Sequence, residues 1–411
     1  MSERGRQMSG VAGKAATRRR GADGRRLRRG AARPAAAPAG TREVRAVGAL
    51  RLWAVALAVL VAALGAPGGA SAAALPPGFI GISPQSFNRE DMRLMREAGV
   101  LSVRLPLHWH EVEARHPGLA EPDWSGFDRG VRMAAEEGME VFPVVYGTPP
   151  WLAARPSDLP VAEPRQRRAW ARFLRDAARR YGPDGNFWRE HRQLPYRPIR
   201  DWEIWNEQNI VTFATDPDPV RFARLMRIAG RALHAVNPGA TVIFGGLFGR
   251  PLQVPPNVAS DDFLDRFYRA GRVKPHFDGV ALHPYVAEAR AIASQLRRLR
   301  RVMRRHGDAR TPIYVTELGW GSRSGPTRWE RGIWGQADQL SQAFALLAAG
   351  RQRWRVGGVW WFTWSDEGGN CLFCGSAGLL TEAREAKPAW YRFTRWTGGD
   401  AGIVPRARLR D

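Results

Sequence analysis

The chain has 411 residues, of which 44% are hydrophobic and 17 are Trp, so it is long enough for one large domain or two smaller ones. Its net charge is +24, but +11 of this lies within residues 1–51 and the other +13 is spread over the remaining 360 residues. The basic residues are nearly all arginine and fall in helix-like runs such as 297–301, which indicates solvent-facing helix surfaces. We therefore expect no nucleic-acid partner.

The N-terminal region has the pattern of an export signal. Arg45 and Arg51 precede an apolar run of 13 residues at Leu52–Leu64, and Ala70-Ser71-Ala72 offers a cleavage site with small residues. The run is short for a membrane span. We expect a disordered basic extension at residues 1–51, a signal peptide at 52–72 and a secreted protein with no membrane partner beyond export. An uncleaved signal anchor at the outer face of the membrane is the alternative.

From about residue 75 the chain alternates short apolar runs with amphipathic segments. The apolar runs predict eight strands, at Phe79–Ser83, Ser102–Leu105, Glu140–Val145, Trp202–Trp205, Thr241–Phe244, Gly279–Leu282, Ile313–Thr316 and Gly358–Thr363. The amphipathic segments predict helices at Glu90–Ala98, Phe127–Glu137, Gln166–Arg180, Val220–Val236, Asp262–Ala270, Val286–His306, Ala337–Leu347 and Trp390–Trp396.

Eight alternating strands and helices are typical of an α/β protein whose parallel sheet is covered by helices. The count matches a single (β/α)8 (TIM) barrel over residues 75–398, without an accessory β-sandwich. A short, loose C-terminal tail is expected at residues 399–411.

Two glutamates lie at the ends of two predicted strands. Glu207 follows the fourth strand in Trp205-Asn206-Glu207, and Glu317 follows the seventh in Thr316-Glu317. Cleavage of a glycosidic bond requires two such carboxyl groups, one to protonate the leaving oxygen and one to attack or stabilise the sugar carbon. The barrel would bring both to one face, because functional residues of this fold gather at the carboxyl ends of the strands.

Other strand ends also carry polar or aromatic side chains. These are Arg104 and Trp109 for the second strand, Trp151 for the third, His283 and Tyr285 for the sixth, and Trp361 and Trp364 for the eighth. Packing alone does not explain why so many polar and aromatic residues would gather on one face of the barrel. Trp in particular is a platform for the apolar face of a sugar ring.

The chain has two cysteines, Cys371 and Cys374, in the loop after the eighth strand. In an exported protein a close pair is expected to form a local disulfide, which would brace the loop beside the sugar pocket. A zinc site would need two further ligands nearby, and a redox site would need a strand-to-helix context. Free thiols are the remaining alternative.

The motifs resemble those of the retaining glycoside hydrolases built on (β/α)8 barrels. Trp205-Asn206-Glu207 is similar to their acid/base motif, and Thr316-Glu317-Leu318-Gly319-Trp320 to their nucleophile motif. Val103-Arg104 with Trp109 and Glu113, and residues 146–151, resemble the pattern of family 39, which includes bacterial exopolysaccharide endoglycosidases and β-xylosidases. The resemblance covers roughly residues 78 to 396. Gln208 departs from the proline often found there, and the missing β-sandwich favours a polymer-acting enzyme over an exo-xylosidase.

This resemblance implies a double-displacement mechanism on β-glycosidic bonds, with Glu317 as nucleophile and Glu207 as acid/base. It implies that Asn206 binds the sugar 2-hydroxyl and that Arg104 and Tyr285 hold Glu317 ionised. Further substrate-binding roles would fall to His283, to Trp361 and Trp364 as the pocket floor, and to Trp109 and Trp151 as platforms for outer sugars.

The expected partner is therefore a carbohydrate substrate, and the protein is expected to act as a monomer without a metal or organic cofactor. Two alternatives stay open. One is a catalytically silent, glycan-binding barrel protein of the cell surface. The other is a transglycosylase that uses the same site.

Overall fold

A computed structural model describes residues 75–250, 255–368 and 371–407. The expected basic extension (1–51) and signal peptide (52–72) lie outside these ranges, as do residues 408–411 of the expected tail. No helix in the described part of the chain combines the length and the apolar character that crossing a bilayer would require.

Eight parallel strands in the described ranges close into a barrel in sequence order, with the first strand paired to both the second and the eighth. The strands are β1 (Ile80–Ile82), β2 (Ser102–His108), β3 (Glu140–Tyr146), β4 (Asp201–Asn206), β5 (Thr241–Phe248), β6 (Gly279–His283), β7 (Ile313–Leu318) and β8 (Val356–Trp361). The predicted single (β/α)8 barrel is confirmed.

The helices cover the outside of this barrel. They are α1 (Arg89–Glu97), α2 (Trp109–Val112), α3 (Ser125–Glu136), α4 (Pro164–Tyr181), α5 (Asn186–Glu190), α6 (Pro219–Val236), α7 (Ser260–Arg269), α8 (Ile292–Arg305), α9 (Gly332–Trp354) and α10 (Pro388–Thr397). The short helices α2 and α5 were not expected from the sequence. Helix α8 begins later than predicted because a 3-10 turn at Ala289–Ala291 precedes it.

Near the amino-terminal ends of the strands, the barrel interior is filled by large side chains from alternate strand positions. Trp360 packs on Phe142 with ring centroids 4.5 Å apart, and Tyr314 joins the same cluster. Gly81 leaves the space for Trp360, since a β-carbon at this position would lie 2.4 Å from the indole nitrogen. The barrel interior is therefore a packed core at the end where the strands begin.

Two expectations about the periphery are wrong. Arg300 belongs to a run expected to face solvent, yet it is 3% exposed and donates to the carbonyls of Trp354 at 2.6 Å and Thr311 at 2.7 Å. Its guanidinium satisfies a carbonyl at the end of α9 that the helix leaves unpaired. The described part of the tail is also held in place as far as Ala407, whose N–H donates to the Ala386 carbonyl at 3.0 Å.

Candidate active site

A cavity of about 530 Å³ opens at the carboxyl ends of the strands. Glu207 and Glu317 both line it, together with Arg104, Asn206 and Tyr285. The last residues of β2 and β3 and the loops after β4, β7 and β8 also line it, through Pro106, His108, Tyr146, Ile210, Thr212, Phe213, Trp329, Cys371, Leu372, Phe373 and Cys374. The sequence-predicted carboxylates are thus brought to one concave site from strands far apart in the chain.

Glu207 and Glu317 face each other across this cavity. One carboxylate oxygen of each lies within 4.8 Å of the other. Glu207 is 6% exposed and the Glu317 side chain 12%. Glu207 has a left-handed backbone with φ of 41°, a conformation that costs a non-glycine residue free energy and is concentrated at functional sites.

Arg104 joins three of the site residues. Its Nε donates to Glu203 at 2.6 Å, its Nη1 to Glu317 at 2.7 Å and its Nη2 to the side-chain oxygen Oδ1 of Asn206 at 2.9 Å. Burial opposes the charge, but Glu203 and Glu317 outweigh it and raise the pKa of the guanidinium. Arg104 therefore remains a fixed positive charge beside Glu317.

The two carboxyl groups have different surroundings. Burial raises the pKa of both. Glu317, however, accepts hydrogen bonds from Arg104 at 2.7 Å and from the Tyr285 hydroxyl at 2.7 Å, which favour its ionised form. Glu207 instead meets His283, whose Nδ1 lies 2.8 Å from Glu207 Oε1. Glu317 thus has two hydrogen-bond donors that favour its ionised form, whereas Glu207 contacts an imidazole whose tautomer decides which of the two groups donates.

A chain of hydrogen bonds links His283 to a third glutamate. His283 Nε2 lies 3.0 Å from the Thr316 hydroxyl, and that hydroxyl donates to Glu203 Oε1 at 3.0 Å. Burial lowers the pKa of His283, so the imidazole is neutral. Since Thr316 gives its one proton to Glu203, its oxygen must accept from His283 Nε2–H.

This order of donors determines which residue, His283 or Glu207, carries the proton of the hydrogen bond between them. A neutral imidazole protonated at Nε2 has a bare Nδ1, which can only accept a hydrogen bond. The group at 2.8 Å, Glu207, must then be the donor and carry a proton. Through Thr316, the buried Glu203 thus favours the protonated form of Glu207.

The tryptophans after β8 are not where the sequence placed them. Trp361 is fully buried on the outer side of β8 against Phe344, with ring centroids 6.3 Å apart. Trp364 is also fully buried and donates to Asp91 at 2.9 Å. Neither lines the cavity, so the prediction that they form its floor is wrong. Side chains alternate along a strand, and Phe362 occupies the inward position instead.

The two expected platforms for outer sugars also lie outside the cavity. Trp109 is fully buried, donates to Glu113 at 2.9 Å and stacks on Phe173, so it cannot contact a ligand. The prediction for Trp109 is wrong because the residue begins α2 and faces the core. Trp151 is half-buried and lines a separate cavity.

Several residues of the site were not identified from the sequence. Glu203 had a usable signal, because a charged residue between Trp202 and Ile204 in an apolar strand must find a buried partner. His108 and Tyr146 are joined by a 2.8 Å hydrogen bond at the rim. Trp329 and Phe373 carried no signal, since their positions depend on loop conformation, and Phe248 lies beyond the predicted end of the fifth strand.

The expected disulfide between Cys371 and Cys374 is present, with Cα atoms 5.3 Å apart. Both cysteines line the cavity. Phe373, between them, packs against Tyr285 with ring centroids 5.3 Å apart. The disulfide therefore constrains a loop that contacts the tyrosine bonded to Glu317.

Within the described residues, two groups of side chains have ligand atoms close enough to surround a cation. Glu207, His283 and Glu317 form one, but Arg104 contacts Glu317 and Thr316 contacts His283, so a cation would compete with existing hydrogen bonds. The other, at the rim, consists of His108, His110 and Glu111. The first group fits proton transfer better than metal binding.

Comparison with known proteins supports the fold. No protein-family model matches the chain, and no curated protein matches it. A solved family 39 glycoside hydrolase from Bacteroides cellulosilyticus is 20% identical, with 78% of this chain and 63% of that chain covered and a TM-score of 0.56. A monomeric β-xylosidase from Caulobacter crescentus is 19% identical, with 77% and 67% covered and a TM-score of 0.56.

A glucosidase from Croceicoccus marinus has a TM-score of 0.59 at 14% identity, with 79% of this chain and 69% of that chain covered. The chain thus spans less than two thirds of the length of the Bacteroides structure and about two thirds of the others. At such identities the similarity establishes the fold that this chain shares with the family 39 glycoside hydrolases. The resemblance inferred from the motifs is therefore confirmed at the level of the fold.

Proposed function

We propose that this protein is a retaining glycoside hydrolase that cleaves β-glycosidic bonds of a polysaccharide or oligosaccharide. The observation that carries the proposal is the pair Glu207 and Glu317, whose facing oxygens lie within 4.8 Å of each other. Glu317 accepts hydrogen bonds from Arg104 and Tyr285, whereas Glu207 contacts His283. Retaining enzymes hold the two carboxyl groups about 5–5.5 Å apart, whereas inverting enzymes need about 6.5–9.5 Å to admit water. The short separation supports double displacement.

In the first step, Glu207 donates its proton to the glycosidic oxygen while a Glu317 oxygen attacks the anomeric carbon. The bond to the leaving sugar breaks, and an ester to Glu317 forms. Arg104 and Tyr285 hold Glu317 by one oxygen each, which orients it for attack. Asn206, fixed by Arg104, is placed to bind the sugar 2-hydroxyl.

In the second step, Glu207 takes a proton from water, and the water oxygen displaces Glu317 from the anomeric carbon. The charge on Glu317 contributes to the raised pKa of Glu207. Formation of the ester removes that charge, so the pKa of Glu207 falls when it must act as a base. His283 then presents its bare Nδ1 to the returning proton.

The test is turnover of a panel of aryl β-glycosides and β-linked polysaccharides, with the anomer of the first product followed by NMR. We expect a β-configured product, and loss of activity by several orders of magnitude in Glu317→Ala. An α-configured first product would exclude double displacement. A folded protein that binds glycans but turns over no member of the panel would favour the silent glycan-binding alternative.

We also propose that the protein is exported. The apolar run Leu52–Leu64 before Ala70-Ser71-Ala72 supports this, as does the Cys371–Cys374 disulfide, because disulfides persist in oxidising compartments. N-terminal sequencing of protein recovered outside the cell should begin after Ala72. Retention of the intact chain in the membrane fraction would favour the signal-anchor alternative.

A further inference from the structure

A second and larger cavity, of about 830 Å³, lies on the outer wall of the barrel between α4 and α6. Six arginines line it: Arg165, Arg167, Arg168, Arg172, Arg175 and Arg231. No acidic residue lines it. We call it the arginine groove. It is separate from the cavity that holds Glu207 and Glu317, with which it shares no lining residue.

The arginines are arranged by helical periodicity. Positions 165, 168, 172 and 175 are separated by three, four and three residues, so they form one stripe along α4. Arg231 faces this stripe from α6. The sequence had suggested that the arginines were dispersed over solvated helix surfaces, but here the packing of two helices collects them around one concavity.

Four of these six arginines lack an acidic partner among the described residues, and the other two, Arg165 and Arg172, are paired with glutamates. Among the described residues, the side chains of Arg168, Arg175 and Arg231 make no ion pair and no hydrogen bond. Arg167 donates only to the carbonyls of Val161 and Ala162, at 2.9 and 2.7 Å. The groove therefore holds uncompensated positive charge.

Neighbouring groups show the same crowding of charge. Burial, with Arg224 and Arg231, lowers the pKa of Arg227 on α6. Burial, with Arg231 and Arg227, also lowers the pKa of His276. Like charges held this closely repel each other, and an anion placed among them would relieve that repulsion.

The end of the groove nearest the β3–α4 loop is aromatic. Trp151 is half-buried there, and the exposed ring of His116 meets it at 4.8 Å and 70°. The floor is apolar, with Leu152, Ala169 and Ile228. An apolar floor with an indole suits the faces of sugar rings, and guanidinium groups suit carboxylates.

We propose that the arginine groove binds a segment of an anionic polysaccharide whose sugars carry carboxylates. The volume is within the range of about 300–1,000 Å³ typical of sites for small organic ligands. The identity of the ligand as a polysaccharide rests on the proposed function. Binding in the groove would tether a polymer to the enzyme and raise its effective concentration at the cavity that holds Glu207 and Glu317.

The test compares two triple variants of the full chain with the same loss of charge. The groove variant is Arg168→Gln, Arg175→Gln and Arg231→Gln. The control is Arg96→Gln, Arg392→Gln and Arg395→Gln, at exposed positions on α1 and α10 whose side chains make no hydrogen bond or ion pair with the described residues. Binding of polygalacturonate, of neutral dextran, of a short DNA duplex and of phosphatidylglycerol vesicles is measured at two salt concentrations.

We expect the groove variant to bind polygalacturonate about tenfold or more weakly than the wild type, while the control stays within about twofold. The two variants should not differ measurably in their binding of dextran. Equal losses in both variants would overturn the proposal. Tighter binding of the duplex or the vesicles than of polygalacturonate at matched salt would also overturn it.

A separate measurement distinguishes this inference from the proposed function. Turnover of a small aryl glycoside should be the same in both triple variants, because none of the six arginines lines the cavity with Glu207. Absence of aryl-glycoside turnover in every form would count against the proposed function alone. Loss of that turnover only in the groove variant would count against a separate binding site.

Discussion

Glu203 accepts a hydrogen bond from Arg104 Nε at 2.6 Å, and this contact holds the guanidinium that donates to Glu317 at 2.7 Å. Glu203 is fully buried and also accepts from Thr316, which continues to His283 and Glu207. One buried carboxylate thereby contacts the surroundings of both proposed catalytic residues. The first prediction follows from this position.

Glu203→Gln should lower kcat/KM about 10–100-fold, since a hydrogen bond to a charged group is worth about 1.5–3 kcal/mol. The amide would leave Arg104 without its anchoring charge and would offer Thr316 a weaker acceptor. Kinetics over a pH range would measure the loss. Glu113→Gln is the matched control, because Glu113 is 2% exposed and paired with Arg172 at 2.6 Å away from the cavity. Equal kinetic losses in both variants would mean that Glu203 acts only through stability.

Thr316→Val tests the direction of the hydrogen-bond chain. Without the hydroxyl, His283 no longer has a reason to keep its proton on Nε2, and Nδ1–H can donate to ionised Glu207. The raised pKa of Glu207 should then fall. Activity requires protonated Glu207 and is lost as pH rises through its pKa, so the alkaline limb of kcat/KM should move to lower pH by about one unit.

Thr363→Val is the control for that experiment. Thr363 is fully buried and donates to the Ser83 carbonyl at 3.0 Å, but it has no part in the chain to His283. The alkaline limb of kcat/KM for Thr363→Val should stay at the wild-type pH. A shift to higher pH in Thr316→Val would contradict the assigned direction of donors.

Phe362→Ala should raise KM about tenfold or more by removing an aromatic wall of the cavity. Trp364→Phe should instead leave KM unchanged and lower Tm by a few degrees, since it removes the hydrogen bond to buried Asp91. Steady-state kinetics and thermal unfolding of both variants check the pair. A raised KM in Trp364→Phe, with KM unchanged in Phe362→Ala, would restore the tryptophan as pocket floor.

Reduction of the Cys371–Cys374 disulfide should raise KM several-fold and lower stability by about 2 kcal/mol, given the short loop it closes. The loop carries Phe373, which contacts Tyr285. Cys371→Ser with Cys374→Ser removes the bond without reductant, and Leu372→Ser changes the same loop while keeping it. If all three forms had identical KM values, the loop would have no part in substrate binding.

The sequence was sufficient for the barrel and the two glutamates because both follow from local patterns. Apolar strands alternate with helices, and each glutamate directly follows such a strand, so the fold alone brings Glu207 and Glu317 to one face. The roles of Arg104 and Tyr285 as contacts of Glu317 agree with the geometry for the same reason.

The tryptophans could not be placed from sequence, because a strand presents successive residues to opposite sides. Trp361 and Phe362 differ by one position, and only the register of β8 decides which one faces the cavity. Trp329 and Phe373 lie in long loops whose paths depend on tertiary contacts. The arginine groove likewise requires α4 and α6 to be packed side by side before its charges come together.

The most direct test of the proposed mechanism is Glu207→Ala assayed with an activated aryl β-glycoside and azide. Glu317 should still be glycosylated, because the activated leaving group needs little protonation, while hydrolysis of the ester slows without its base. The variant should therefore show a burst of phenol, and azide should speed turnover and yield a β-glycosyl azide. Equal loss of activated and natural substrates, with neither burst nor azide effect, would contradict the assignment of Glu207 as acid/base and Glu317 as nucleophile.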